Sequence, residues 1–128
     1  VEQWMMAEKA RLFVDGRTRE AILRARSPAK QKALGRRVRG FDEGVWVRHR
    51  YGIVLRGTLE KYRQNAALRR LLFSTAGLML VEASPEDAVW GIGMSSSDPE
   101  ISNVRRWGLN LLGRAVTQVR EQLLRRGG

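Results

Sequence analysis

The stretch VEQWMMAEKARLF, residues 1–13, reads as an amphipathic helix, and what it buries sets the reading of the whole chain. At about 100° per residue from Val1, Leu12 and Met5 fall near ~20° and ~40°, and Phe13 and Met6 near ~120° and ~140°. Lys9 and Glu2 land between these apolar groups, near ~80° and ~100°. Gln3, Glu8 and Arg11 are expected on the far side. One amine and one acid therefore sit in the middle of the stripe that should face the core. Charged side chains are rarely buried without a partner, and taking an ion out of water costs several kcal/mol unless compensated. Two explanations stand. The pair is a structural ion pair, or a lysine reaching past its own stem to water; or this face lines a cleft in which both groups do chemistry.

Helices follow along the chain. The first is expected to end near Val14, at "VDG". A second is expected in TREAILRAR, residues 18–26. SPAKQKALGRRV, residues 27–38, opens with Ser27 as N-cap and Pro28 at the first helical position, and Gly35 and Gly40 bracket its end. In residues 41–65 glycines punctuate the pattern, but Asp42 is a capping residue, and Val45, Trp46, His49, Ile53, Leu59 and Tyr62 recur at helical spacing. Asn65 caps NAALRRLLFSTAG, which Gly77 ends. LMLVEAS, residues 78–84, is apolar and partly β-branched, which predicts a strand or an extended segment. Residues 85–103 are rich in Gly, Ser, Asp and Pro and read as a loop. Asn103 is expected to cap a last helix over residues 104–126, with Leu109, Leu112, Val116, Val119 and Leu123 as its stripe. The fold expected is mostly α, a single compact helical domain over residues 1–128 with at most a small strand pair.

Composition removes several chemistries. The chain has 128 residues and no cysteine, so thiol nucleophiles, disulfides and thiolate metal sites are excluded. The single histidine, His49, leaves little for a metal centre and reads as a locally packed or solvated side chain. No GxSxG elbow accompanies it. No metal and no cofactor is expected. No apolar run approaches membrane-spanning length, and a cysteine-free chain suits a reducing cytoplasm. The charge is strongly positive: 24 Lys and Arg against 13 Asp and Glu, with only four Lys among them. That balance attracts polyanions, nucleic acid first, although an arginine-rich composition also follows from a GC-rich genome.

Two later stretches draw notice. In EDAVWGIG, residues 86–93, glycines flank an isoleucine straight after an aromatic. Such a turn lets backbone approach a ligand, its N–H groups can form an anion nest, and Ser95, Ser96 and Ser97 add hydroxyls. A plain glycine turn with Trp90 in the core is the competing explanation. In WGLNLLGRAVTQVR, residues 107–120, Gly113 and Arg120 project onto the apolar stripe and Asn110 lies at its margin. The glycine suggests close packing. The arginine suggests a carboxylate partner or a bound phosphate, or a side chain that reaches water from the stripe's edge.

Taken in order, VEQWMMAEKARLF, LGR, EKYRQNAALRRLLFSTAGLMLVEASPEDAVWGIG and WGLNLLGRAVTQVR resemble the NADAR family over nearly the whole chain. The family pattern has a Glu in sEx(W/Y/F) with a Lys seven residues on, a GR pair, a KF or KY segment, lvEaspxDxxWGxG and GxNxLGxxLmxvR. Its members usually carry a further N-terminal segment with an SNf-like patch, which the 128 residues lack; the domain is therefore expected to be missing that segment. The resemblance implies an N-glycosidase acting on a bond to ribose. It implies Glu2 and Lys9 as catalytic residues, and Arg36, Asp87, Trp90, Gly91, Gly93 and Asn110 as substrate-binding residues. ADP-ribose on guanine in nucleic acid is the first substrate it suggests, and phosphorylated riboflavin-pathway intermediates the second. A non-catalytic ADP-ribose or nucleic-acid binding module is the third reading. Trp46 is expected mainly in the core.

Overall fold

The computed structural model describes residues 2–126. Those residues form six α-helices and one short 3₁₀ turn, with no strand among them. The helices are α1 (Glu2–Leu12), α2 (Gly16–Arg24), α3 (Pro28–Gly35), α4 (Glu43–Gln64), α5 (Ala66–Phe73) and α6 (Leu111–Arg125). The chain divides into two compact units, Val1–Gly57 and Thr58–Gly128, with the division falling inside α4. Among the described residues no helix is long and apolar enough to cross a membrane.

In the first unit α1 packs against α2 and α3. Met5, Met6, Ala7 and Ala10 are buried, and so are Ile22, Ala25 and Val38. The far side expected for Gln3, Glu8 and Arg11 does not exist as a single polar face. Gln3 Nε2 donates to the carbonyls of Ile22 and Leu23 at 3.2 and 3.0 Å, which ties α1 to the end of α2. Glu8 is buried, and two arginines hold it: Arg11 at 2.7 Å and Arg56, from α4, at 3.5 Å. Glu8 therefore faces the fold rather than solvent, and its charge is paired there. Trp4 completes the α1–α4 contact, its indole N–H donating to the Ile53 carbonyl at 2.7 Å.

Local capping chemistry sets the other helix starts. Asp15, which follows α1, caps α2 by accepting from Thr18 N at 3.1 Å. Its second oxygen accepts from the Thr18 hydroxyl at 2.6 Å and from Arg39 N at 2.9 Å. Ser27 caps α3 through Lys30 N, Asp42 accepts from Val45 N at the start of α4, and Asn65 caps α5 through Leu68 N.

The second unit departs from expectation at two places. Residues 78–84 are irregular rather than a strand. Their backbone bonds a side chain and a loop: Asn110 Oδ1 accepts from Glu82 N at 3.0 Å, and Ile92 N donates to Glu82 O at 2.9 Å. The last helix also starts seven residues later than expected, at Leu111. Only Val104–Arg106 form a 3₁₀ turn, and Asn103 makes no side-chain cap bond to it. Asn110 adopts a left-handed conformation with φ 52°, which a continuing right-handed helix cannot contain. Leu109 is consequently exposed, while Val119 and Leu123 keep their place in the core beside Leu72, Ile92 and Met94.

The loop before α6 is knitted by backbone. The carbonyls of Ala88, Val89, Trp90, Gly91 and Ile92 accept from the N–H groups of residues 109, 111, 112, 110 and 108, at 2.7–3.0 Å. Arg120, buried on α6, donates to the Thr75 and Leu78 carbonyls at 2.7 and 2.9 Å and to the Thr75 hydroxyl at 3.1 Å. It thus secures the chain leaving α5. Its carboxylate partner is the neighbouring Glu121 at 3.0 Å, and the side chain does not reach out to water.

Candidate functional site

The residues singled out from sequence fall on both units. Glu2, Lys9 and Arg36 belong to the first; Asp87, Trp90, Gly91, Gly93 and Asn110 belong to the second.

On α1, Glu2 and Lys9 are both half-buried, and no ion pair joins them. Among the described residues Glu2 Oε1 is sealed from solvent and has no hydrogen-bond partner. An oxygen left in that state costs of the order of 1–3 kcal/mol, more when it carries charge, so it is retained against stability. Lys9 makes no hydrogen bond or ion pair among the described residues. Its Nζ instead lies 4.6 Å from the centre of the Phe41 ring and 5.5 Å from that of Trp46. Phe41 in turn meets Phe13 edge to face, with ring centres 5.4 Å apart. Burial pushes the Lys9 amine below its ordinary value, and the positive charge of Arg36 pushes it the same way. Arg36 is exposed at the end of α3 and pairs with no carboxylate among the described residues. The arrangement thus offers a carboxylate with a free acceptor, an amine easier to deprotonate than usual, and an unpaired guanidinium. The sequence reached Glu2, Lys9 and Arg36. Phe41 it did not reach, because a lone aromatic ahead of a helix cap carries no periodic signal.

On the second unit, Asp87 is an anchor of its own loop. Its Oδ1 accepts from Val89 N at 2.9 Å and from Trp90 N at 2.8 Å. Ile92 N and Gly93 N are also used, on Glu82 O and Asp87 O. The nest of N–H groups expected in EDAVWGIG is therefore filled by the protein's own acceptors. Gly91 is buried where a Cβ would stand 2.7 Å from Glu82 O and 2.8 Å from Asp87 O, and Gly93 has φ +73°. Both glycines have sufficient reason in packing and backbone conformation. The Asn110 amide also donates to Leu80 O at 3.0 Å, so it clamps residues 80 and 82 together. Gly113 is pressed against Leu80 O and the Asn110 side chain. Trp90 is half-buried and its indole N–H makes no bond among the described residues. Ser95 and Ser97 bond each other at 2.9 Å. His49 is exposed, with Nδ1 2.9 Å from the Val45 carbonyl of its own helix.

Comparison with known proteins shows the chain's family. The NADAR domain family model matches residues 1–124. The N-glycosidase R617 of Acanthamoeba polyphaga mimivirus is 40% identical over 122 residues, which is 94% of this chain and 72% of that protein. Protein irg-1 of Caenorhabditis elegans is 42% identical over 95% of this chain, which spans only 59% of that protein. The N-glycosidase YbiA of Escherichia coli is 32% identical over 95% of the chain and 68% of its own length. The protein belongs to the NADAR domain family, among relatives that are N-glycosidases, hydrolases of N-glycosyl bonds.

Proposed function

We propose that this chain hydrolyses an N-glycosidic bond to ribose, with Glu2 and Lys9 as its catalytic residues. The observation that carries the reading is that, among the described residues, Glu2 Oε1 has no hydrogen-bond partner and the half-buried Lys9 on the same helix has no ion pair. Breaking the bond leaves its electron pair on the base nitrogen, which takes up a proton, and builds positive charge on C1 and the ring oxygen. A carboxylate without other partners is suited to stabilise that charge. Water then adds to C1 and gives up a proton, for which the same carboxylate is an acceptor. Lys9, with its proton held less tightly, either attacks C1 as the base leaves with the bonding electrons, the adduct then being hydrolysed by water to free the lysine, or holds the sugar. Arg36 offers a fork for a phosphate, and Trp90 a ring face for a base. Asp87, Gly91, Gly93 and Asn110 shape the Trp90 loop and complete the proposed binding residues.

The substrate we infer is ADP-ribose on guanine in nucleic acid, in a cytoplasmic setting. Charge supports it: residues 1–57 carry fourteen Lys and Arg against six Asp and Glu, and such a surface favours a polyanion over a small anion. The second reading is a phosphorylated riboflavin-pathway intermediate. It is favoured by the 36% identity to the riboflavin biosynthesis protein PYRR of Zea mays, which covers 82% of this chain but only 16% of that protein. A product assay separates the two. The chain should release free ADP-ribose from guanine-ADP-ribosylated DNA, identified by mass spectrometry. Turnover of the riboflavin intermediates alone would select the second reading. Turnover of neither by the folded chain would leave a binding module.

A further inference from the structure

A half-buried lysine without a hydrogen bond or ion pair has nothing polar to hold it. Its stem has four rotatable bonds, and the ordinary outcome is a head that swings out to water. Here the amine instead lies over two ring faces, at 4.6 Å from Phe41 and 5.5 Å from Trp46, both inside the roughly 6 Å range of cation–π attraction. Phe41 is itself 45% exposed, and it is steadied by the edge-to-face contact with Phe13. The chemistry of the seat matters. A carboxylate in the same place would hold the amine by a salt bridge, keep it protonated and occupy its N–H groups. A ring face also attracts the ammonium, but more weakly than a carboxylate and without an acceptor lone pair, so the N–H groups stay free for a substrate.

We propose that Phe41 and Trp46 are positioning residues, an aromatic seat that fixes the Lys9 amine for reaction without pairing it. The purpose of the seat rests on the assignment of Lys9 made above; its existence does not. Phe41→Leu removes the ring and keeps apolar bulk at an exposed position, so the chain should fold with an unchanged melting profile. Phe41→Tyr keeps the ring.

The chain has four lysines, 9, 30, 32 and 61, so the methylene groups beside the amines can be resolved by NMR on lysine-labelled protein. In the parent, the Lys9 signal should be displaced by ring currents from those of Lys30 and Lys32. Phe41→Leu should move it toward them, and Phe41→Tyr should leave it in place. Turnover should follow the same order. Phe41→Leu should lower kcat by about threefold to about thirtyfold with KM nearly unchanged, the range set by the strength of one cation–π contact, and Phe41→Tyr should restore it. An undisplaced Lys9 signal in the parent, a parent-like kcat in Phe41→Leu, or equal losses in the Leu and Tyr variants would each overturn the seat. Full turnover by Lys9→Ala would instead overturn the assignment of Lys9, and the catalytic purpose of the seat with it, whatever the spectrum shows.

Discussion

At the scale of one residue, Lys9 carries a consequence for stability. Its amine is held below the ordinary lysine value of 10.5, by burial first and by Arg36 second. The unfolded chain therefore binds that proton more tightly than the folded one. The folded state is disfavoured at every pH below the lowered value, and the penalty is relieved as pH rises from there to 10.5. Lys9→Met should accordingly be more stable than the parent at neutral pH by chemical denaturation, with the gap narrowing as the pH approaches the ordinary lysine value. A gap that does not change with pH would mean Lys9 is not perturbed. Glu2 carries a consequence of its own. Its Oε1 has no partner among the described residues, so Glu2→Gln, which removes a charge without breaking a bond, should leave stability within about 1 kcal/mol of the parent or raise it. A large loss would show that Glu2 holds the fold together. Both residues were legible in the sequence because each is a charge in the wrong place. Phe41 was not, since an aromatic side chain needs no explanation until its neighbours are known.

The elements divide along the same line. Ser27, Asp42 and Asn65 act on N–H groups three residues away, so local sequence sufficed to find them. Asn110 acts on residues 28 and 30 positions away, and nothing local announces its left-handed backbone. That is why the sequence predicts too long a last helix and leaves residues 78–84 open between a strand and an extended segment. Where elements meet closely, glycine is required. A Cβ at Gly57 on α4 would lie 2.7 Å from Trp4 Nε1 on α1. Gly57→Ala should therefore cost about 1–3 kcal/mol by overpacking, against the gain of under about 1 kcal/mol in helix propensity. It should also break the Trp4–Ile53 bond, with a visible change in tryptophan fluorescence. A stabilised protein would show that Trp4 is free to move. At Asp15 the hydrogen bond from the Thr18 hydroxyl, helped by the N–H groups of Arg39 and Thr18, holds the carboxyl below its ordinary value of 3.8. The stability it contributes is complete above that value and is lost as pH falls through the lowered one. Asp15→Asn should remove that acid-side dependence, which thermal melts across the acid range would show.

For the whole molecule, the proposal assigns substrate recognition to the positive charge and the chemistry to the first helix. The family match spans residues 1–124, which accounts for how much could be read from motif order, while the pairing of Glu8 with two arginines and the filled turn at 87–93 emerge only from the folded chain. A net charge of +11 predicts that affinity for a modified oligonucleotide falls steeply with salt, whereas that for a modified mononucleoside changes little. Equal salt dependence would place the charge outside recognition. The central claim is that Glu2 and Lys9 perform the hydrolysis. Its direct test is the rate of ADP-ribose release from guanine-ADP-ribosylated DNA by the parent, Glu2→Gln and Lys9→Ala, each with its melting profile. Release by the parent, with losses on the order of a hundredfold or more in both folded variants, is the expected result. Parent-like release by either variant would contradict it.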